Sequence, residues 1–381
     1  MSHSDFQRVL PDASNHFQRE RSLWSYTHVD AILLILLLIL AGYGLFVYYS
    51  ASGQSAASFQ KQLVRYGVAF SVMIAAAWLN PRHFRRWAPW LFVGGVGLLV
   101  AVLLFGVGAK GAQRWIAFPG LPRFQPSEIM KLIVPMTLAW FFAEKPLPPS
   151  LRNVVIVLML IAIPVLLIAK QPDLGTSLLI GSSGVFVLLL SGIRWRYIFG
   201  ASAVATACGP LLWMGMRDYQ RQRVLTFLDP ESDPLGSGWN IIQAKTAIGS
   251  GGIDGKGWLN GTQSQLDFLP ESHTDFILAV LAEELGLVGV LALLAIYLCV
   301  IARGLYIATH AQDTFGRLLA GSLTLTFFVY VFVNFGMVSG ILPVVGVPLP
   351  LVSFGGTSIV TLLAGFGIIM SIHTHRSMVT R

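Results

Sequence analysis

VDAILLILLLILAGYGLFVYYS, residues 29–50, is an apolar run in which Asp30 is the only charged side chain. Apolar runs of about 18 or more residues with few charges are typical of helices that span a membrane. Ten segments of this kind can be marked, at about 29–50, 62–80, 87–107, 127–143, 153–169, 174–192, 197–216, 274–302, 316–340 and 352–373. The sequence therefore predicts an all-α integral membrane protein with about ten transmembrane helices.

The composition supports this fold class and argues against a soluble protein. Of the 381 residues, 55% are hydrophobic and 12% are charged, and the mean hydropathy is +0.68. Soluble domains carry about 25% charged residues. The net charge of +8 is not gathered into a Lys/Arg-rich run with interleaved aromatic residues. The basic residues are therefore expected to contact membrane lipids, and no nucleic-acid partner is expected. Cys208 and Cys299 lie in apolar runs, which predicts no disulfide.

The distribution of Lys and Arg predicts the orientation of the helices. With the N terminus inside, the inner segments hold fourteen of these residues and the short outer loops hold seven. Such a bias favours a cytoplasmic N terminus, and ten helices return the C terminus to the same side. We therefore predict a cytoplasmic tail at 1–25, a single polytopic domain at 26–376 and a cytoplasmic tail at 377–381. One long loop, 217–273 between helices seven and eight, then lies outside the cytoplasm.

This long loop indicates where a substrate would be met. It is rich in Gly, Asp, Ser, Gln and Trp and contains GSGWNIIQAKTAIGSGGIDGKGWLNGTQSQLDFLPESHTD. A structureless loop of this length is unusual in a compact domain and is commonly functional. Neither ATP nor nucleotide sugars are available outside the cytoplasm. An enzyme working there must therefore use a substrate that is already activated.

Ionisable residues at the outer ends of the apolar segments are the first functional candidates. Glu128 and Lys131 lie in QPSEIMK, Asp173 lies in KQPDLGTS, and Asp275 lies in FLPESHTDFILAVLAEELG. A charge within the membrane marks a functional site by default. The gathering of three acids and a lysine at one membrane face, beside a long polar loop, favours a site for an anionic or polar ligand.

Helix capping is the alternative interpretation of the same residues. Pro126 and Pro172 suit the first position of a helix, which would put Glu128 and Asp173 in a first turn, where the helix dipole favours an acid. Ser272 and Asp275 have the spacing of a capping box.

Glu283 and Glu284 are not explained by capping. In a continuous helix they must face a polar cavity or pair with basic groups. Alternatively, Gly286 and Gly289 mark a break, and 274–285 is a shallow helix at the membrane interface.

Basic residues recur on the same side of the membrane: Arg114, Arg217, Arg221, Arg223 and Lys245. The planar guanidinium of arginine donates paired hydrogen bonds to phosphate, although anionic lipid headgroups would explain the same residues. GILPVVGVPLPLVSFGGTSIV, residues 340–360, contains three prolines and two adjacent glycines. It predicts a re-entrant or broken element that lines a protein cavity.

Five of these stretches together resemble the SEDS family. They are GAQRWI, QPSEIMK, QPDLGTS, GSGGIDGKGWLNGTQSQLDFLPESHTDFILAVLAEELG and PLPLVSFGGTS, and the resemblance extends from about residue 28 to the C terminus. GTQSQLDFLPESHTDF is more similar to the elongation enzymes of the family than to its division enzymes. The resemblance implies ten transmembrane helices, cytoplasmic termini and a peptidoglycan glycosyltransferase of the bacterial cytoplasmic membrane that uses lipid II. It also implies a class B penicillin-binding protein, a transpeptidase, as partner, together with other proteins of the elongation complex.

The resemblance also carries roles for individual residues. The essential loop aspartate of the family falls on Asp275, and a nearby acidic position falls on Asp267, where the family often has Glu. Polar positions that line the central cavity of the family fall on Arg114, Glu128, Lys131 and Asp173. Lys245, Glu271 and His273 complete the candidate contacts to lipid II.

The expected reaction joins two lipid-linked sugars. A carboxylate can act as base for the attacking hydroxyl, and Asp275 is the candidate. Basic residues would stabilise the leaving pyrophosphate. A divalent cation such as Mg²⁺ or Mn²⁺ could share this role. The sequence shows no dedicated cluster of metal ligands. Two alternatives stay open: a lipid II flippase, which would depend more on the basic residues than on Asp275, and a scaffold that only recruits the transpeptidase.

Overall fold

The structure is a computed structural model that describes residues 28–109, 112–116, 125–207, 209–215, 221, 225, 238–265 and 272–375. Both predicted tails lie outside these residues. So do four of the candidate site residues, namely Arg217, Arg223, Asp267 and Glu271.

Most residues in the described part of the chain lie in helices. In its first half these are α1 (Ala31–Ala51), α2 (Ala56–Trp78), α3 (Pro81–Phe105), α4 (Pro126–Phe142), α5 (Leu151–Lys170), α6 (Leu174–Leu190), α7 (Trp195–Ala207) and α8 (Gly209–Gly215). In its second half they are α9 (Trp239–Gly251), α10 (Thr262–Gln265), α11 (Ile277–Thr309), α12 (Thr314–Val338) and α13 (Gly356–Thr374).

Among the described residues, six helices are long and apolar enough to cross a membrane: α1, α3, α5, α11, α12 and α13. Helix α6 is apolar but shorter. Helices α2 and α4 coincide with predicted segments but carry charges within them. The prediction of an all-helical membrane protein is confirmed.

Polar residues define several helix starts. Asp30 caps α1 by accepting a hydrogen bond of 2.8 Å from the Leu33 backbone N–H, and Asn80 caps α3 ahead of Pro81. Pro126 occupies a first-turn position of α4, as predicted. Capping side chains satisfy backbone N–H groups that the helix itself leaves unpaired.

Three local predictions were wrong. Pro172 does not begin a helix; it precedes Asp173, which is itself the N-cap of α6. Ser272 and Asp275 form no capping box, because α11 begins after an additional turn and the Ser272 hydroxyl donates to the Ala51 carbonyl at 3.4 Å. The long loop is not structureless, since it contains α9.

One further feature was not predicted. A short antiparallel hairpin, β1 (Val107–Ala109) with β2 (Ala112–Trp115), follows α3. Within the predicted segment 197–216, the described residues 197–207 and 209–215 are helical and belong to α7 and α8.

Hydrogen bonds distinguish the two ends of the helix bundle. At one end Arg303 of α11 donates hydrogen bonds of 2.6 and 3.1 Å to the Asp30 carboxylate. His373 of α13 approaches the same carboxylate to 3.6 Å. At the opposite end of α1, Ser50 binds Glu284.

Residues 341–355 form the irregular connection between α12 and α13. Much of it is buried, including Val347, Leu349, Leu351 and Val352. Residues 356–360 of the predicted range 340–360 belong to α13, whereas most of that range is confirmed as a non-helical segment. Its backbone lies against protein, which satisfies the requirement for irregular structure at membrane depth.

Candidate active site

Helix α12 organises the predicted site because it carries two buried polar residues one turn apart. Tyr330 is 1% exposed and Asn334 is fully buried. Residues four apart lie on one face of a helix. Each of these side chains binds one of the predicted site residues, so the predicted residues are held along a single helix face.

Lys131 is the partner of Tyr330. The Lys131 ammonium donates to Glu128 Oε1 at 2.6 Å and to the Tyr330 hydroxyl. The other oxygen of Glu128 accepts from Thr361 Oγ1 of α13 at 3.1 Å. Glu128 and Lys131 are 5% and 6% exposed, so this ion pair is held away from solvent and links α4, α12 and α13.

Asp275 is the partner of Asn334. The Asn334 amide donates to the backbone carbonyl of Asp275 at 3.0 Å and to the carbonyl of Val347 at 2.8 Å. A Cβ placed on Gly346 would lie 3.4 Å from Asp275 Oδ2. The Asp275 carboxylate therefore lies beside the irregular segment 341–355.

The amide oxygen of Asn334 adds a polar atom to this place. It is buried and has no hydrogen-bond partner among the described residues. Buried acceptors are normally satisfied by protein or ordered water.

Asp173 is placed at the start of α6. It accepts from the Thr176 backbone N–H at 3.2 Å and from Gln125 Nε2 at 3.0 Å. Arg114 of β2 approaches it to 3.8 Å and also donates to the backbone carbonyls of Gln171 and Pro172. The hairpin thus brings Arg114 to Asp173.

Gly175 connects this corner to the rest of the site. A Cβ at Gly175 would lie 3.0 Å from the Val345 carbonyl oxygen, so the start of α6 meets the same irregular segment that approaches Asp275. The segment 345–347 therefore lies between Asp173 on one side and Asp275 on the other.

The remaining predicted residues that the structure describes lie beside Asp275 or outside the site. His273 is hydrogen-bonded through its carbonyl to the Phe354 N–H at 2.9 Å, which places it next to Asp275. Lys245 of α9 packs against Gly340. Arg221 donates to the Trp213 and Met214 carbonyls at 3.0 and 2.7 Å, so it is anchored to the backbone of α8.

The sequence analysis missed several residues of the site. Tyr330, Asn334, Thr361 and Gln125 hold the predicted residues, and Arg65 lies 4.0 Å above the Phe354 ring while donating to Gln62 at 3.3 Å. Tyr330 and Asn334 at helical spacing inside an apolar run were the available signal. The others could not have been found without the packing of the helices.

On the side of Lys131 away from Asn334, the cluster borders a pocket between α4, α12 and α13. Its lining includes Leu132, Leu323, Phe327, Leu362 and Phe366, with Lys131, Tyr330 and Thr361 at the polar end. Within the described residues no group of three or more His, Cys, Asp and Glu side chains could hold a metal ion.

Glu283 and Glu284 do not join this cluster. Gly286 has φ 65° and ψ −162°, which interrupts α11 directly after the two acids. The predicted alternative of a broken helix is therefore the observed one. Both carboxylates are nevertheless buried, at 0% and 2% exposure, and bind protein groups outside the helix.

Comparison with known proteins places the chain in a family. A family model described as Cell cycle protein, for FtsW, RodA and SpoVE, matches residues 30–378. The Escherichia coli (strain K12) protein named Peptidoglycan glycosyltransferase MrdB is 57% identical over 363 residues, covering 95% of this chain and 98% of that protein. A Geobacter metallireducens protein named Probable peptidoglycan glycosyltransferase FtsW is 37% identical over 91% of this chain and 94% of its own length.

Solved structures agree with this assignment. A chain of a peptidoglycan synthase complex, described as coordinating polymerization and crosslinking, superposes with a TM-score of 0.81 and 30% identity, covering 92% of this chain and 99% of that chain. The Thermus thermophilus Rod shape determining protein RodA superposes with a TM-score of 0.70 and 27% identity, covering 92% and 98%. The chain belongs to the FtsW, RodA and SpoVE family of cell cycle proteins, which is the SEDS family.

Proposed function

We propose that this chain is a peptidoglycan glycosyltransferase that polymerises lipid II into glycan strands during cell-wall elongation and rod-shape maintenance. The name of the E. coli relative, which is 57% identical over nearly the whole chain, supports the activity. The geometric observation that carries the proposal is the position of Asp275. It lies in a turn against α12 and the irregular segment, and its partner Asn334 is one helical turn from Tyr330, the partner of Lys131.

In the proposed reaction, the 4-hydroxyl oxygen of one lipid II attacks the anomeric carbon of another lipid-linked chain. The new glycosidic bond forms as the bond from that carbon to the phosphate oxygen breaks, and undecaprenyl pyrophosphate leaves with the electron pair. Asp275 accepts the hydroxyl proton as general base. Direct displacement inverts the anomeric centre. The pyrophosphate is the activating group, so no nucleotide is required.

The leaving pyrophosphate needs positive charge nearby. Arg114 suits this role because its side chain is one-third exposed while it stays anchored to Asp173 and two carbonyls. Lys131 is neutralised by Glu128 and therefore orients polar groups more than it adds net charge. Arg217, Arg221, Arg223 and Lys245 are further candidates, and a divalent cation (Mg²⁺ or Mn²⁺) would share the same charge.

The proposed topology has ten membrane spans in the bacterial cytoplasmic membrane, with both termini in the cytoplasm. The loop 217–273 then lies between spans seven and eight on the periplasmic side, and the site opens to that side. The excess of Lys and Arg in the inner segments supports this orientation.

A class B penicillin-binding protein is the proposed partner, since the synthase-complex relative is described as coordinating polymerization and crosslinking. The transpeptidase would cross-link the strands that this chain produces. Other elongation-complex proteins and membrane lipids complete the expected contacts.

The deciding experiment measures polymerisation of purified lipid II by the protein with its transpeptidase partner. Asp275→Asn should fold, bind the partner and form no glycan strands, whereas wild type forms them. Thermal stability and partner binding are the controls. Polymer formation by Asp275→Asn at the wild-type rate would refute the assigned base. If folded wild type forms no polymer but moves lipid II across vesicles, the flippase is the correct function.

A further inference from the structure

Residues 252–263, a compact turn that precedes α11 in the chain, pack into the break at Gly286. Backbone hydrogen bonds of 2.9 to 3.2 Å join the turn to both sides of the break: Lys256 N to Glu283 O, Gly257 N to Glu284 O, Leu287 N to Gly252 O and Val288 N to Ile253 O. Gly255 and Gly286 have positive φ and pack directly against each other's backbone. A larger residue at either position would overlap the opposing chain, so the fit is close.

The Glu283 side chain fixes this turn. Its carboxylate is fully buried, and Oε1 accepts from Lys256 Nζ at 2.7 Å, from the Thr262 backbone N–H at 2.8 Å and from the Thr262 hydroxyl at 2.9 Å. The Gln263 backbone N–H donates to both oxygens, at 3.0 and 3.2 Å. Hydrogen bonds to a charged acceptor are roughly twice as strong as neutral ones. One carboxylate thus binds side-chain and backbone groups of the turn and of the start of α10.

Glu284 ties the same turn to α1. Its Oε1 accepts from the Ser50 hydroxyl at 2.5 Å, and its carboxylate accepts from the backbone N–H groups of Leu259 and Gly261. The two adjacent acids therefore connect the turn to two neighbouring helices. Neither acid faces the cluster around Lys131.

The consequence concerns Asp275. Because Gly286 interrupts the helix, the piece 277–285 is not held in line with the long membrane-spanning piece that follows. The turn 252–263 and α9, where a Cβ at Gly251 would overlap the Ala282 carbonyl, therefore help to set its position. Asp275 lies just before the start of this short piece, where Asn334 also binds its backbone carbonyl.

We propose that Glu283 is a positioning residue for the reaction, whose carboxylate locks the turn 252–263 into the break of α11 and so holds Asp275 beside Asn334 and Gly346. The inference rests on the proposed role of Asp275. Glu283 does not touch the substrate; it acts through the short helix 277–285.

The test compares Glu283→Gln with Asp30→Asn in the full-length protein with its partner. Asp30 is a matched control, since it too is a buried acid (6% exposed) paired with a basic side chain, here Arg303, but it lies at the other end of α1. Displacement by about 1 Å from a distant change can cost about a hundredfold in rate. Glu283→Gln should therefore lower kcat for lipid II polymerisation tenfold to a hundredfold (roughly) with KM within about twofold. Asp30→Asn should lose a similar amount of thermal stability and keep the wild-type kcat.

Hydrogen exchange gives a readout that does not need activity. Backbone amides of 272–285 should exchange faster in Glu283→Gln than in wild type and stay unchanged in Asp30→Asn. Equal exchange in wild type and Glu283→Gln, or a wild-type kcat in Glu283→Gln, overturns the positioning role. If wild type forms no polymer, the proposed function fails, while the exchange comparison still decides whether Glu283 holds the segment that contains Asp275.

Discussion

At the scale of single residues, the buried Lys131–Glu128 pair could either stabilise the fold or orient a ligand. A buried ion pair is weak evidence for stability, because removing both charges from water is costly. The pair is retained here beside Tyr330 and Thr361, at the polar end of an apolar pocket. This arrangement is better explained by orientation of a polar ligand than by stabilisation of the fold.

Removing one partner of this pair should be far more harmful than removing both. Lys131→Met leaves the Glu128 carboxylate buried with only the Thr361 hydroxyl, which should cost about 3–5 kcal/mol of unfolding free energy. The double variant Glu128→Gln, Lys131→Met should recover most of this loss. Unfolding in detergent by SDS titration measures both.

Kinetics of the double variant separates packing from function. If Lys131 orients lipid II, the folded double variant should polymerise with a higher KM than wild type. A double variant as unstable as Lys131→Met contradicts the energetic argument, and one with wild-type kinetics contradicts the binding role.

At the scale of elements, the sequence predicted what depends on local composition. The apolar runs predicted the long helices, and the Pro-rich stretch before α13 predicted the irregular connection. The helix α9 was missed because it lies in a loop of mixed polarity, and the hairpin was missed because its strands are short. The capping box at Ser272 and Asp275 was wrong because capping competes with tertiary partners, here the Ala51 carbonyl.

The site was predictable only in part for a related reason. Asp275, Lys131 and Asp173 stood out as charges near apolar runs, but their common position depends on Asn334, Tyr330 and Gly346 from distant parts of the chain. Such long-range packing is not encoded in local spacing. The break at Gly286 was recognised as one alternative, yet the turn that fills it could not be inferred.

The close contact between α2 and α13 gives a prediction at this scale. A Cβ on Gly367 would overlap the Met73 carbonyl and lie 2.8 Å from Ala76 Cβ. Small residues allow membrane helices to approach this closely. Gly367→Ala should therefore destabilise the protein by about 1–3 kcal/mol through overpacking.

Gly97 of α3 is the matched control for this substitution, because a Cβ there would meet nothing within 4 Å. Gly97→Ala should be neutral or stabilise by about 0.5–1 kcal/mol, since alanine has the better helix propensity. Unfolding by SDS titration compares the two variants. Equal effects of the two alanines would show that the α2–α13 contact is looser than described.

At the scale of the whole molecule, the hydrogen bonds group the helix ends consistently. Ser371 donates to the Leu79 carbonyl, and Thr374 donates to the His28 carbonyl at 3.3 Å, so these residues share the end that carries Asp30. The Ser50–Glu284 bond places the turn 252–263 at the opposite end. Basic residues concentrated near the first end then orient the whole bundle with that end in the cytoplasm.

Cysteine labelling tests this orientation. In a background with Cys208 and Cys299 replaced by serine, Asp254→Cys would report on the turn 252–263 and Ser150→Cys on the connection before α5; both positions are exposed. A membrane-impermeant maleimide should label Asp254→Cys in intact spheroplasts and Ser150→Cys only after lysis, because ten spans from a cytoplasmic N terminus put them on opposite sides. The reverse pattern would invert the topology and place Asp275 in the cytoplasm. Labelling of both positions before lysis would instead mean that they lie on the same side of the membrane. An even number of spans would then separate them, whereas the predicted topology has an odd number. The reverse pattern would also remove the argument that an already activated, lipid-linked sugar is the substrate, whereas the expected pattern puts the proposed base on the side where such a substrate is polymerised.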